Sequence, residues 1–114
     1  RFKDNWNALE SLIDSYVSSG INVFVYIAPI RGDVEIPYLP NEYDKFKLEL
    51  TLLASKKGFN LMNYEDLVPA QFWGLKDSTN IDGSPELDFM HYQYGGHKIL
   101  SDQIYKDLKL EELR

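Results

Sequence analysis

The sequence predicts an α/β fold of three layers, built on part of a doubly wound parallel sheet. Two observations carry this. The run Ile21-Asn22-Val23-Phe24-Val25-Tyr26-Ile27 is nearly all apolar and rich in β-branched and aromatic residues, the pattern of a parallel strand covered on both faces. It is followed by a helical pattern and then by a second short strand-like run, Phe59 to Tyr64, the order of a β-α-β unit.

Each element has its own justification. Trp6, Leu9, Leu12, Ile13, Tyr16 and Val17 recur at spacings of three and four, which places them on one stripe of a helix from about Asp4 to Ser19. Asp4 or Asn5 is the expected cap and Gly20 the stop. After the first strand, Ala28-Pro29 ends the run, and the segment to Pro40 holds Pro29, Gly32, Pro37 and Pro40, the composition of a loop with fixed bends. This loop leaves the C-terminal end of a strand, where open α/β sheets place ligands. Arg31 and Asp33 in it are read as solvated charges in preference to substrate contacts. Asn41 is the expected cap of a second helix to about Lys57, with Tyr43, Phe46, Leu50, Leu53 and Ala54 as its buried stripe and Gly58 as its end. The second strand puts Phe59, Leu61 and Asn63 on one face.

From Glu65 to Leu87 the chain is polar and rich in Asp, Asn, Ser, Gly and Pro, which predicts a long loop. Leu67-Val68 and Phe72-Trp73 are its apolar exceptions, expected to form a helical turn against the core. Trp73 is read as an anchor for the loop in preference to the floor of a pocket. A last helix is expected from Tyr94 or Gly95 to about Leu110, burying Ile99, Leu100, Ile104 and Leu108. Gly95-Gly96 is expected to let the backbone turn tightly into it.

Composition narrows the function. The 114 residues are 44% apolar and 26% charged, ordinary for one folded domain covering 1–114. The formal net charge of -6 argues against nucleic acid or an anionic membrane surface as partner. With no cysteine there are no disulfides or thiolate metal sites. No apolar run approaches the ~20 residues of a membrane span. The chain's own residues choose no compartment.

Recognisable chemistry lies in one stretch, Asp88-Phe89-Met90-His91-Tyr92-Gln93-Tyr94-Gly95-Gly96-His97-Lys98-Ile99-Leu100. A histidine that takes a proton from a nucleophile must be held in one tautomer, and a carboxylate accepting from its other ring nitrogen does this. An Asp-x-x-His turn supplies both partners from one short segment. A metal site from Asp82, Asp88, His91 and His97 is the weaker reading, since no pair has the helical i, i+4 spacing of a zinc motif. No metal and no cofactor is therefore expected.

The order of strand, helix, strand, loop, Asp-x-x-His, Gly and terminal helix resembles the C-terminal part of an SGNH (GDSL-type) hydrolase, a flavodoxin-like three-layer fold. Gly-His-Lys-Ile-Leu after the pair is also similar to SGNH-like acyl-transfer proteins of bacterial cell envelopes. The resemblance implies Asp88 as orienting acid, His91 as general base, a non-catalytic His97, and a periplasmic, extracellular or membrane-associated parent. The family's Gly-Asp-Ser nucleophile block and its oxyanion Gly and Asn blocks do not occur here. The expectation is a C-terminal portion whose partner is the missing N-terminal part of its own domain. The strand Ile21 to Ile27 would then lack a neighbour, and a homodimer through that sheet edge is a further expected partner. An autonomous enzyme using Ser78 or Ser84 is disfavoured, because neither sits on a strand-to-helix elbow. A non-catalytic α/β binding or assembly module is the alternative.

Overall fold

The computed structural model describes residues 2–76 and 81–112. The chain is mixed helix and strand, in the order α1 (Phe2–Ser18), β1 (Phe24–Ile27), α2 (Pro40–Lys57), β2 (Asn60–Asn63), a 3-10 turn at Ala70–Phe72, β3 (Trp73–Lys76), β4 (Glu86–Tyr92) and α3 (Tyr94–Glu112). It groups into two compact units: residues 1–27 with 37–63, and residues 28–36 with 64–114.

The first unit is a β-α-β arrangement with α1 added. β1 and β2 pair in parallel with Val25 opposite Leu61 and Ile27 opposite Asn63. Side chains alternate along a strand, so Val23, Val25 and Ile27 share a face with Phe59 and Leu61. That face meets Ile13, Leu50, Leu53 and Ala54 in the core, with Trp6, Leu9 and Phe46 packed against it. Each large side chain buried here contributes about 1.5–3 kcal/mol. The strand is shorter than expected, because β2 offers only four residues to pair with. Val23 lies just outside the strand, its carbonyl accepting from Asn60 N–H at 3.1 Å. Ile21 is 51% and Tyr26 39% exposed, which corrects the expectation of a strand buried on both faces.

The starts of α1 and α2 differ from expectation and their ends agree with it, whereas α3 starts at Tyr94 as expected. Phe2 is already helical, so Asp4 and Asn5 lie inside α1 and do not cap it; the Phe2 ring stacks on Trp6 at 6.0 Å and meets Phe46 edge-on at 6.5 Å. Asn41 is likewise not a cap. Pro40 opens α2 behind Leu39, since proline's fixed φ suits the first helical position and its missing N–H costs nothing there. Gly58 ends α2 at φ 77°, and Gly58 and Phe59 N–H both reach back to the Ala54 carbonyl at 2.9 and 3.3 Å. The left-handed residue reverses the chain and drops Phe59 into the core beside Ala54.

The second unit holds the largest departure. The predicted loop from Glu65 to Leu87 contains β3 and the start of β4, which pair antiparallel. Polar composition hid these strands because their residues are largely exposed, Leu75 at 61% and Leu87 at 37%, leaving little apolar alternation to read. Trp73 is the anchor expected of it: it is 5% exposed, its indole N–H donates to the Val68 carbonyl at 3.3 Å, and its ring meets Tyr92 edge-on at 5.2 Å.

α3 packs on β4 and on the 3-10 turn. Leu100 is buried as expected, but Leu108 is 42% exposed. The buried position on that turn belongs to Asp107, which accepts from the Tyr64 hydroxyl and, at 3.1 Å, from Gln103 Nε2. Gly95 and Gly96 are not in the left-handed region; what they provide is close approach. A Cβ on Gly95 would lie 2.5 Å from the Phe72 ring, and one on Gly96 2.9 Å from Tyr92 Cβ and 3.0 Å from Val68 Cγ1. Among the described residues, no helix is long and apolar enough to cross a membrane.

Alanine in place of glycine inside a helix ordinarily gains up to ~1 kcal/mol. Gly96→Ala should instead lower stability by about 1–3 kcal/mol, the usual range for overpacking, measured as a fall in the urea midpoint. An unchanged or raised midpoint would mean that α3 does not sit this close to Tyr92 and Val68.

Candidate functional site

The site is built on an interruption in the β3–β4 ladder. Trp73 pairs with Tyr92 and Leu75 with Leu87, so one residue on β3, Gly74, faces four on β4, Asp88 to His91. This is an extended β-bulge, and a bulge re-aims the side chains it carries. Inside it the Asp88 carboxylate organises its own backbone: Oδ1 accepts from Met90 N–H at 2.8 Å and from His91 N–H at 3.0 Å. Aspartate commonly folds the next residues back in this way. The other oxygen, Oδ2, lies 3.2 Å from His91 Nδ1.

Electrostatics fix the roles in this contact. Asp88 is 8% exposed, and the Met90 amide holds its carboxyl below the ordinary carboxylate range against the opposing effect of burial, with the His91 amide and ring adding to the lowering. An ionised carboxylate can only accept hydrogen bonds. Neutral His91 must therefore carry its proton on Nδ1, leaving the Nε2 lone pair free. The His91 side chain is 81% exposed, so Nε2 opens to solvent. Leu87, Phe89 and Met90 beside it are 37%, 36% and 73% exposed.

The sequence-predicted pair is thus brought into contact, on a bulged strand and not in a loop. His97 is set apart from it, its ring packed 4.5 Å from that of Tyr92, beside a depression of about 390 Å³ lined in part by Leu100 and Ile104. The described residues contain no group of three or more His, Asp and Glu that could hold a metal. Ser84 lies on an exposed turn and donates to Asp82 at 2.8 Å, an Asx-type turn and not a nucleophile elbow. Ser78 lies outside the described residues.

Arg31 was misread by sequence reasoning. It is 7% exposed, not solvated. Its Nε and Nη2 grip Asp33 at 2.7 and 3.2 Å, and Nη1 donates to the carbonyls of Gly74 at 2.8 Å and Asp88 at 3.3 Å. The available signal was Pro29-Ile30 before it and a carboxylate two residues after it, an apolar lead into a self-paired charge.

Chemically, the pair can hold a base at Nε2 and stabilise the imidazolium that forms when that base takes a proton. Comparison with protein-family models, with curated proteins and with solved structures found no match. The function is therefore argued from this chemistry.

The lowered titration of Asp88 gives a signed expectation. A carboxylate depressed in the folded state stabilises the turn fully above its unfolded value of about 3.9, and that stabilisation is lost as pH falls through the lower folded value. The amide proton shifts of Met90 and His91 should therefore titrate together with a midpoint below about 3.9. A midpoint at or above the ordinary value would show that these amides do not hold the carboxylate.

Proposed function

We propose that this chain is the Asp- and His-bearing C-terminal segment of an SGNH-type serine esterase or acyltransferase, with Asp88 orienting His91 and His91 acting as general base. The observation that carries the reading is the doubly held Asp88 carboxylate, one oxygen on two backbone amides and the other on His91 Nδ1. In the proposed reaction a serine from outside these residues passes its hydroxyl proton to His91 Nε2 as Oγ bonds to the acyl carbonyl carbon. His91 then returns the proton to the departing alkoxide. Asp88 stays ionised throughout.

The β1–α2–β2 unit is compatible with one part of a doubly wound sheet whose other strands come from the N-terminal part of the same domain. The exposed apolar groups beside His91 suit either an acyl chain or that missing surface. The exposure of Met90 and Leu75 also favours a second reading, a non-catalytic binding or assembly module that uses the β3–β4 face.

Kinetics separate the two. This chain alone should not hydrolyse simple acyl esters above background. In the longer protein, His91→Ala should lower kcat by about 10²–10⁴-fold, while His97→Ala should leave activity within about threefold, inside the usual scatter of a single packing change. Equal losses, or loss on His97→Ala alone, would favour the assembly reading.

The partner proposal follows from the sheet. Among the described residues β1 has β2 on one side and no strand on the other, and such an edge tends to find a partner. Sedimentation equilibrium at micromolar concentration should show this chain as a dimer. A monomer in which Val25 is strongly protected from hydrogen exchange would mean that β1 is already covered.

A further inference from the structure

The bulge that carries Asp88 and His91 breaks the β3–β4 ladder, and a buried cation sits where the ladder is interrupted. From Nη1, Arg31 donates to the Gly74 carbonyl on β3 and the Asp88 carbonyl on β4, so one guanidinium nitrogen ties the two strands together at the point where their register shifts. The other face of the same group is fixed. Asp33 accepts from Nε and Nη2, and the guanidinium holds the Asp33 carboxyl below its ordinary range. The segment bearing Arg31 is itself tied down by Ile30 N–H donating to the Glu65 carbonyl at 2.9 Å.

A planar fork with several donors is needed for this geometry. Two nitrogens engage a carboxylate while a third reaches two carbonyls, and a lysine ammonium has neither the reach nor the fixed plane to do both. A buried cation that only balanced Asp33 would need no contact with the strands. The carbonyl Arg31 holds on β4 belongs to Asp88 itself, the residue whose side chain grips His91.

We infer that Arg31 is a positioning residue: by clamping the Gly74 and Asp88 carbonyls it holds the bulge in the shape that points the Asp88 carboxylate at Met90, His91 and the His91 ring. Its importance for acyl transfer rests on the function proposed above; its control of the turn does not.

The test uses this chain in three forms: wild type, Arg31→Lys and Asp33→Asn, each followed by the Met90 and His91 amide resonances. In Arg31→Lys the shared titration midpoint of these amides should rise toward the ordinary carboxylate value of about 3.9. Their exchange at neutral pH should speed up about tenfold or more, while the Leu53 amide in α2 keeps its protection. Asp33 is 41% exposed, so Asp33→Asn should fold even if Arg31→Lys does not; by loosening the fork it should shift the midpoint in the same direction by less. A purely structural role would lower global stability and leave the midpoint in place. An unmoved midpoint and unmoved local exchange in the folded variants would overturn the inference. If His91→Ala spared activity in the longer protein while Arg31→Lys still shifted the midpoint, the functional reading would fall and the role of Arg31 would stand.

Discussion

The second unit depends on the treatment of one interrupted hydrogen-bond ladder. Between Trp73 and Leu75 the β3–β4 pairing loses its register, and backbone groups buried without partners are costly. Two charged side chains settle that region. The Asp88 carboxylate takes the amides of Met90 and His91, and the Arg31 guanidinium takes the carbonyls of Gly74 and Asp88. A negative group collects donors and a positive group collects acceptors. The result is a turn set into a strand, with an imidazole held at its rim.

The same arrangement explains how a mostly exposed histidine can have a defined orientation. Rotamer freedom at an exposed site would normally leave the ring free to sample several directions. Here the partner is the rigid element: Asp88 is nearly buried and its first oxygen is already committed to the backbone, so only Oδ2 remains for Nδ1. Orientation comes from the acid and not from walls around the base. Supporting contacts of this kind hold a side chain better than a loop alone.

Much of the first unit was legible in the sequence, because its signals are those of burial and punctuation. The stripe through Leu50, Leu53 and Ala54, the parallel strands at Val25 and Leu61, and the stop at Gly58 all reflect apolar periodicity or glycine's tolerance of positive φ. The start of α2 was not legible, because Pro40 at its first position stands where a side-chain cap at Asn41 was expected, and Asp4 and Asn5 lie inside α1. The contact between Asp88 and His91 was readable from spacing, but its setting was not. β3 and β4 are exposed strands with little alternation, and the bulge is a property of their register, which no local pattern encodes. Arg31 was hidden for a related reason: its partners lie 43 and 57 residues away, and a charge in a Pro- and Gly-rich segment looks solvated until those partners are placed.

The central claim is that Asp88 fixes His91 as a base with its lone pair on Nε2. Long-range proton–nitrogen correlation of the neutral His91 ring in the ¹⁵N-labelled chain reads this tautomer directly. The account expects the proton on Nδ1 and an unprotonated Nε2. A ring protonated mainly on Nε2, or an even mixture of the two tautomers, would contradict it.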